Sequence, residues 1–202
     1  MKIKSAKYLI SSPKVEQCPA PDRAEYAFIG RSNVGKSSLI NMLCDKKELA
    51  KISSSPGKTQ LINHFEINSG KNSNWFLVDL PGYGFAVVSQ KKRKTWGYMI
   101  ENYIQQRKNL VNLFVLVDSR RKPQKNDIEF INQLGQWKIP FAIVFTKSDK
   151  NKPAATTRHV KELLQELSTT WEQIPHHFIT SATKREGRKE ILNFIDELNK
   201  TV

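Results

Sequence analysis

The stretch GRSNVGKS, residues 30–37, limits what this chain can fold into more than any other. It matches G-x-x-x-x-G-K-[ST], follows the apolar β-rich run AEYAFI (24–29) and leads into the helical spacing of Ser37 to Cys44. Strand, glycine-bearing loop and helix in that order are the setting in which this pattern holds phosphate. Gly30 and Gly35 let the backbone curl so that successive N–H groups point at phosphate oxygens, and the helix start adds the positive end of its dipole. Lys36 is placed to reach the β and γ phosphates. Ser37 offers a hydroxyl to a magnesium ion bridging the same phosphates.

The rest of the chain repeats the alternation. Strand-like runs stand at LINHFEI (61–67), WFLVDL (75–80), LFVLVD (113–118), FAIVFT (141–146) and HFIT (177–180). Helical spacing occupies Trp96 to Gln106, Asp127 to Leu134, His159 to Leu167 and Ile191 to Leu198. Such alternation predicts an α/β fold with a mostly parallel six-stranded sheet and helices on both faces. LINHFEI carries polar Asn63, His64 and Glu66, and NSGKNSN (68–74) is too short for a crossover helix. That pair is therefore expected to be antiparallel, giving one antiparallel edge strand. Residues 1–22, with Pro13, Pro19 and Pro21, read as an irregular extension packed on a domain spanning 23–202.

The base-reading residues decide which nucleotide a phosphate loop serves. TKSD (146–149) ends an apolar strand, and an Asp149 carboxylate in the base plane accepts from the N1–H and N2–H donors of guanine, a pair adenine lacks. Lys147 can lay its stem across the purine, while the backbone of Thr180, Ser181 and Ala182 can approach the guanine carbonyl. In DLPG (79–82), Asp79 is placed to hold magnesium through water, and the Gly82 N–H to sense the γ phosphate. The long polar segment 45–60 suits a loop whose Thr59 reaches the metal only with GTP bound. An ATP-dependent small-molecule kinase is disfavoured by TKSD and by the lack of a second substrate site.

Charge adds a partner. The chain carries 33 Lys and Arg against 19 Asp and Glu, a net charge of +14, which points to a polyanion such as RNA. KKRK (91–94) beside Trp96 and Tyr98, Arg120 to Lys122, and Lys184, Arg185, Arg188 and Lys189 are candidate contact runs. Cys18 and Cys44 read as reduced, structural thiols. No apolar stretch is long enough for a membrane span or signal core, so a cytoplasmic protein without membrane attachment is expected. Nothing suggests an obligate dimer, and a monomer is expected.

GRSNVGKS, SSSPGKTQLINHFEI, DLPGYG, TKSD and TSA, in that order, closely resemble the EngB (YihA/YsxC) family of ribosome-biogenesis GTPases in the TrmE-Era-EngA-EngB group. The resemblance spans about residues 5–200, and PGKTQLIN with DLPGYG is its most specific part. It implies a Ras-like fold and GTP or GDP contacts at Gly30, Arg31, Ser32, Asn33, Val34, Gly35, Lys36, Ser37 and Ser38. Further contacts are implied at Gly57, Lys58, Thr59, Gln60 and Leu61, at Asp79, Leu80, Pro81 and Gly82, at Thr146, Lys147, Ser148 and Asp149, and at Thr180, Ser181 and Ala182. Metal ligation falls to Ser37 and Thr59, with Asp79 acting through water, and the catalytic roles to Lys36, Thr59 and Gly82. The resemblance also implies work on the large ribosomal subunit precursor, its rRNA and proteins, and a link to cell division and septation.

Many GTPases place a water-orienting glutamine where this chain has Tyr83, so slow intrinsic hydrolysis is expected. No cis arginine finger is identifiable. Activation is then expected from the ribosomal partner or from a monovalent cation. Asn33 resembles the asparagine that binds potassium (K+) in some relatives, alongside the magnesium (Mg2+). The competing reading is a nucleotide-gated RNA- or ribosome-binding module with negligible hydrolysis.

Overall fold

A computed structural model describes residues 1–51, 61–68, 74–83 and 90–201, the side chains of 90–96 excepted. Seven strands form one sheet: β1 (Ala6–Ser12), β2 (Glu25–Gly30), β3 (Ile62–Ile67), β4 (Trp75–Asp79), β5 (Leu110–Asp118), β6 (Phe141–Thr146) and β7 (His177–Ile179), in the order β1-β3-β4-β2-β5-β6-β7. Five helices accompany them: α1 (Lys36–Cys44), α2 (Gln90–Gln106), α3 (Lys125–Gln136), α4 (Pro153–Leu167) and α5 (Arg188–Leu198). β4, β2, β5, β6 and β7 are parallel, and β3 runs against β4 as its short connection requires.

Side-chain alternation sorts the strands onto two cores. Tyr26, Phe28, Leu77, Phe114, Leu116 and Val144 pack with Leu39, Ile40 and Leu43 of α1 and Ile191, Leu192 and Ile195 of α5. The intervening Ala27, Ile29, Val78, Val115, Ile143 and Phe145 face Ile100, Tyr103 and Ile104 of α2, Ile131 and Leu134 of α3, and Leu163 and Leu167 of α4. Burial on both faces explains why these strands read as unbroken apolar runs. Cys44 lies in the first core and both cysteines are free, so the structural reading of the thiols fits.

The count of six strands and the irregular reading of residues 1–22 need correcting. Ala6–Ser12 is a strand, paired antiparallel to β3, so β3 is flanked and β1 takes the rim. Its pattern was hidden because Lys7, Tyr8, Leu9 and Ile10 are all exposed and a bulge between Tyr8 and Ile10 breaks the alternation. Backbone pairing holds it, and Asn68 Oδ1 accepts the Lys4 N–H at 2.7 Å. α4 also begins earlier than its apolar spacing suggested, because Pro153 occupies the first turn, where its missing N–H costs nothing.

Chain direction changes around β2. From it the chain leaves through α1 for β3 and β4 on one side, and it later builds β5, β6 and β7 on the other. The carboxyl ends of these strands flank a topological switch point, where open α/β sheets place their ligands.

Candidate functional site

At that rim, β2 ends in Gly30 and the chain turns through 31–35 into α1. Gly35, the residue before the helix, has φ +107°, a conformation that L side chains rarely adopt, and Asn33 is left-handed at φ 61°. The residue before α1 is a glycine and supplies no side-chain cap to the helix's first N–H groups. The geometry is that of an anion cradle. Val34 differs from its neighbours: its side chain is buried in the core, leaving only its backbone to the loop.

Asp79, at the end of β4, is buried and accepts from the ammonium of Lys36. Burial lowers the Lys36 pKa to about 7, and the adjoining carboxylate opposes that by favouring the ammonium. This pair is exchangeable. If phosphates draw Lys36 away, the buried Asp79 charge needs another cation, and Ser37, one residue on, supplies the oxygen donor that a hard divalent ion prefers. Among the described residues no group of three or more His, Cys, Asp or Glu could hold a metal. Magnesium here would therefore rest on Ser37, on Asp79 through water and on the nucleotide's own phosphates.

The loop after β4 lies against the phosphate loop. An isolated parallel bridge joins Arg31 to Tyr83, and a Cβ on Gly82 would sit 2.6 Å from the Gly30 carbonyl oxygen. Only glycine tolerates that approach. Leu80 is fully buried in the core, so the backbone of 79–82 is what the site can use. Tyr83 turns away toward α3: its hydroxyl donates to Asp127 Oδ1 at 2.9 Å and its ring stacks on Phe130 at 4.3 Å. Burial, then the Asp127 charge, pushes this phenol well above its usual pKa. A phenol so engaged is poorly placed to orient water. Leu61 is exposed at the start of β3, whereas Gly57, Lys58, Thr59 and Gln60 lie outside the described residues.

The opposite wall comes from the ends of β6 and β7. Thr146 is buried, and its hydroxyl donates to Val34 O at 2.6 Å, tying β6 to the phosphate loop. Lys147, left-handed at φ 61°, runs its stem past Gly35, where an added Cβ would lie 3.5 Å from Lys147 Cε. Its ammonium donates to Asn33 O at 2.5 Å and Asp118 Oδ2 at 3.0 Å. The Ser181 hydroxyl donates to Asp149 Oδ1 at 2.7 Å, and this bond lowers the Asp149 pKa, so the carboxylate is ionised and aimed. Ser148 N–H donates to Thr180 O at 3.1 Å, linking the two loops again. The buried Thr180 hydroxyl is spent on Phe145 O, so it is the backbone of 180–182 that is available.

Sequence reasoning missed Asp118. It ends β5, bonds Lys147, and is gripped by Arg120 Nε and Nη2 at 2.9 and 2.8 Å. Its only signal was a carboxylate closing the apolar run LFVLVD. Of the basic runs, Arg188 donates to Met42 O and Leu43 O at 3.0 and 2.9 Å, capping α1, and Arg185 pairs with Asp45 at 2.8 Å. Those two serve the fold, while Arg121, Lys122, Lys184 and Lys189 are exposed. The side chains of KKRK (91–94) and Trp96 lie outside the described set.

Residues 25–147 match the family model of the 50S ribosome-binding GTPases. The chain is 52% identical over its whole length to a probable GTP-binding protein EngB of Flavobacterium psychrophilum, covering 97% of that protein. It is 54% identical to one of Bacteroides fragilis, covering 99% of this chain and 98% of that one. Among solved structures, a probable GTP-binding protein engB superposes with a TM-score of 0.70 at 24% identity, over 89% of this chain and 100% of the other. That structural likeness bears on the fold, which is Ras-like.

Proposed function

The chain belongs to the EngB family of GTP-binding proteins, within the 50S ribosome-binding GTPases, and we propose that it is a slow GTPase whose GTP and GDP states switch its grip on the large ribosomal subunit precursor during assembly. Normal cell division and septation depend on it in this reading. One observation carries the nucleotide assignment: the phosphate loop, the backbone of 79–82, Lys147, Asp149 and the backbone of 180–182 converge on one rim of the sheet.

The residues divide the work. Asp149, held by Ser181, accepts from guanine; Lys147 lies along the purine; and the N–H groups opening α1 take the phosphates. Lys36 leaves Asp79 to neutralise the β and γ oxygens as water attacks the γ phosphorus and its bond to the bridging oxygen breaks, releasing GDP and phosphate. Magnesium bound at Ser37 and Thr59, with Asp79 behind a water, would supply further charge neutralisation. The Gly82 N–H registers whether the γ phosphate is present.

Tyr83, committed to Asp127 and Phe130, supports a slow intrinsic rate and keeps the alternative open, a nucleotide-gated ribosome-binding module with negligible hydrolysis. The excess of 33 Lys and Arg over 19 Asp and Glu supports rRNA as part of the partner surface. Among the described residues no helix is long and apolar enough to cross a membrane. The test is GTP turnover with and without purified large subunits, in KCl and in NaCl. Subunit-stimulated turnover is expected, with binding that weakens as salt rises. Subunit binding that follows the nucleotide without any turnover would favour the module, and equal rates in the two salts would remove the potassium role of Asn33.

A further inference from the structure

We propose that Asp118 is a positioning residue for nucleotide binding: it fixes the Lys147 ammonium so that the lysine stem is held ready over the purine. The proposal rests on the nucleotide-site reading above. A lysine stem is the most mobile side chain that could cover a base, and ordering it costs up to about 2 kcal/mol in rotamer entropy. Here two bonds within the chain supply that ordering. The Lys147 head is caught at two points, by Asn33 O of the phosphate loop at 2.5 Å and by Asp118 Oδ2 at the end of β5 at 3.0 Å. The left-handed backbone at Lys147, φ 61°, is a strained conformation of the kind that persists only where surrounding contacts enforce it.

Asp118 is itself fixed from outside. Arg120 Nε and Nη2 grip both its oxygens, and the Arg120 N–H donates to Oδ1 at 3.1 Å. Its side chain is 14% exposed, against 25% for Lys147 and 41% for Arg120, so the carboxylate is the buried centre of the triad. Burial alone would raise its pKa, but the bonds from Arg120 and Lys147 overcome that and hold it at about 2. It is therefore a permanent anion at neutral pH. Asp149, by contrast, is bonded by Ser181, so the two carboxylates act on different partners.

The experiment uses the full chain and a fluorescent GDP analogue, with Asp118→Asn, Lys147→Gln and the double variant. Asp118→Asn keeps the shape and removes the charge, and GDP affinity is expected to fall about ten-fold, chiefly through a faster off-rate, because one charge-assisted bond is lost in a partly exposed setting. Lys147→Gln keeps the first half of the stem and removes the charge, so binding is weakened but remains measurable. In that background Asp118→Asn is expected to add less than about two-fold, since the bond it would break is already gone. The same ten-fold loss with and without Lys147, or no loss in either, overturns the proposal. A drop in the nucleotide-free melting temperature that accounts for the affinity change would assign Asp118 a structural role and overturn it too. Failure of the wild-type chain to bind GDP at all would instead refute the nucleotide-site reading.

Discussion

The two ends of β2 both bury charge, and they do so in opposite ways. At the amino end Glu25 is inaccessible, and every group around it comes from the protein: Arg107 donates twice at 3.0 Å, His64 Nε2 lies at 3.2 Å, Asn109 donates at 3.4 Å and the Tyr103 hydroxyl donates as well. At the carboxyl end the buried Asp79, closing the neighbouring β4, has Lys36, and a glycine without a side-chain cap precedes α1. The first cluster is closed and welds β2, β3 and α2 together. The second is balanced by a long, movable cation that phosphates can take over. Fold and function thus use the same chemistry, and the difference lies in whether the counter-charge can be exchanged.

The largest expected effect breaks the closed end. Glu25→Ala leaves Arg107 buried without its partner, and urea denaturation should show a loss of about 3–5 kcal/mol. Guanine-nucleotide affinity of the molecules that remain folded should be unchanged. Next comes acid. The bonds to His64, Arg107 and Tyr103 outweigh burial and hold Glu25 at about 2 against an ordinary 4.5. Its contribution is therefore complete above pH 4.5 and is lost as pH falls toward 2. At about 1.4 kcal/mol per unit this amounts to about 3.5 kcal/mol, and the slope should be missing from the denaturation curves of Glu25→Gln.

Lys36→Met tests the exchangeable end. The apolar stem is retained, so the chain should fold, while GTP binding falls about ten- to a hundred-fold with the lost charge-assisted bonds. Destabilisation as large as that of Glu25→Ala, with binding intact, would erase the distinction between the two ends. The smallest effect is expected of Tyr83→Phe, which removes the hydroxyl bond to Asp127 and should cost about 1 kcal/mol in thermal denaturation. Turnover should hardly change, since the ring's role here is to anchor the loop to α3.

The exchangeable end was legible in the sequence because its parts are local. GRSNVGKS, DLPG and TKSD each carry their spacing within a few residues, and each closes a strand whose apolar run can be seen. The closed end was not, since positions 25, 64, 103, 107 and 109 meet only through strand register and the docking of α2. Asp118 was missed for a related reason: Lys147, just past β6, comes beside it only through the register of β5 and β6. β1 escaped because Lys7 to Ile10 are all exposed and a bulge between Tyr8 and Ile10 breaks its alternation. Leu80 and Val34 were placed in the site by position in a motif, and the structure gives their side chains to the core.

The most direct test of the central claim is binding of fluorescent GDP, GTP and ATP analogues to the wild-type chain and to Asp149→Ala. Guanine-selective binding that disappears in the variant, with the nucleotide-free melting temperature retained, is the predicted result. ATP bound as tightly as GTP by the wild type, or selectivity that survives without the Asp149 carboxylate, would contradict the account.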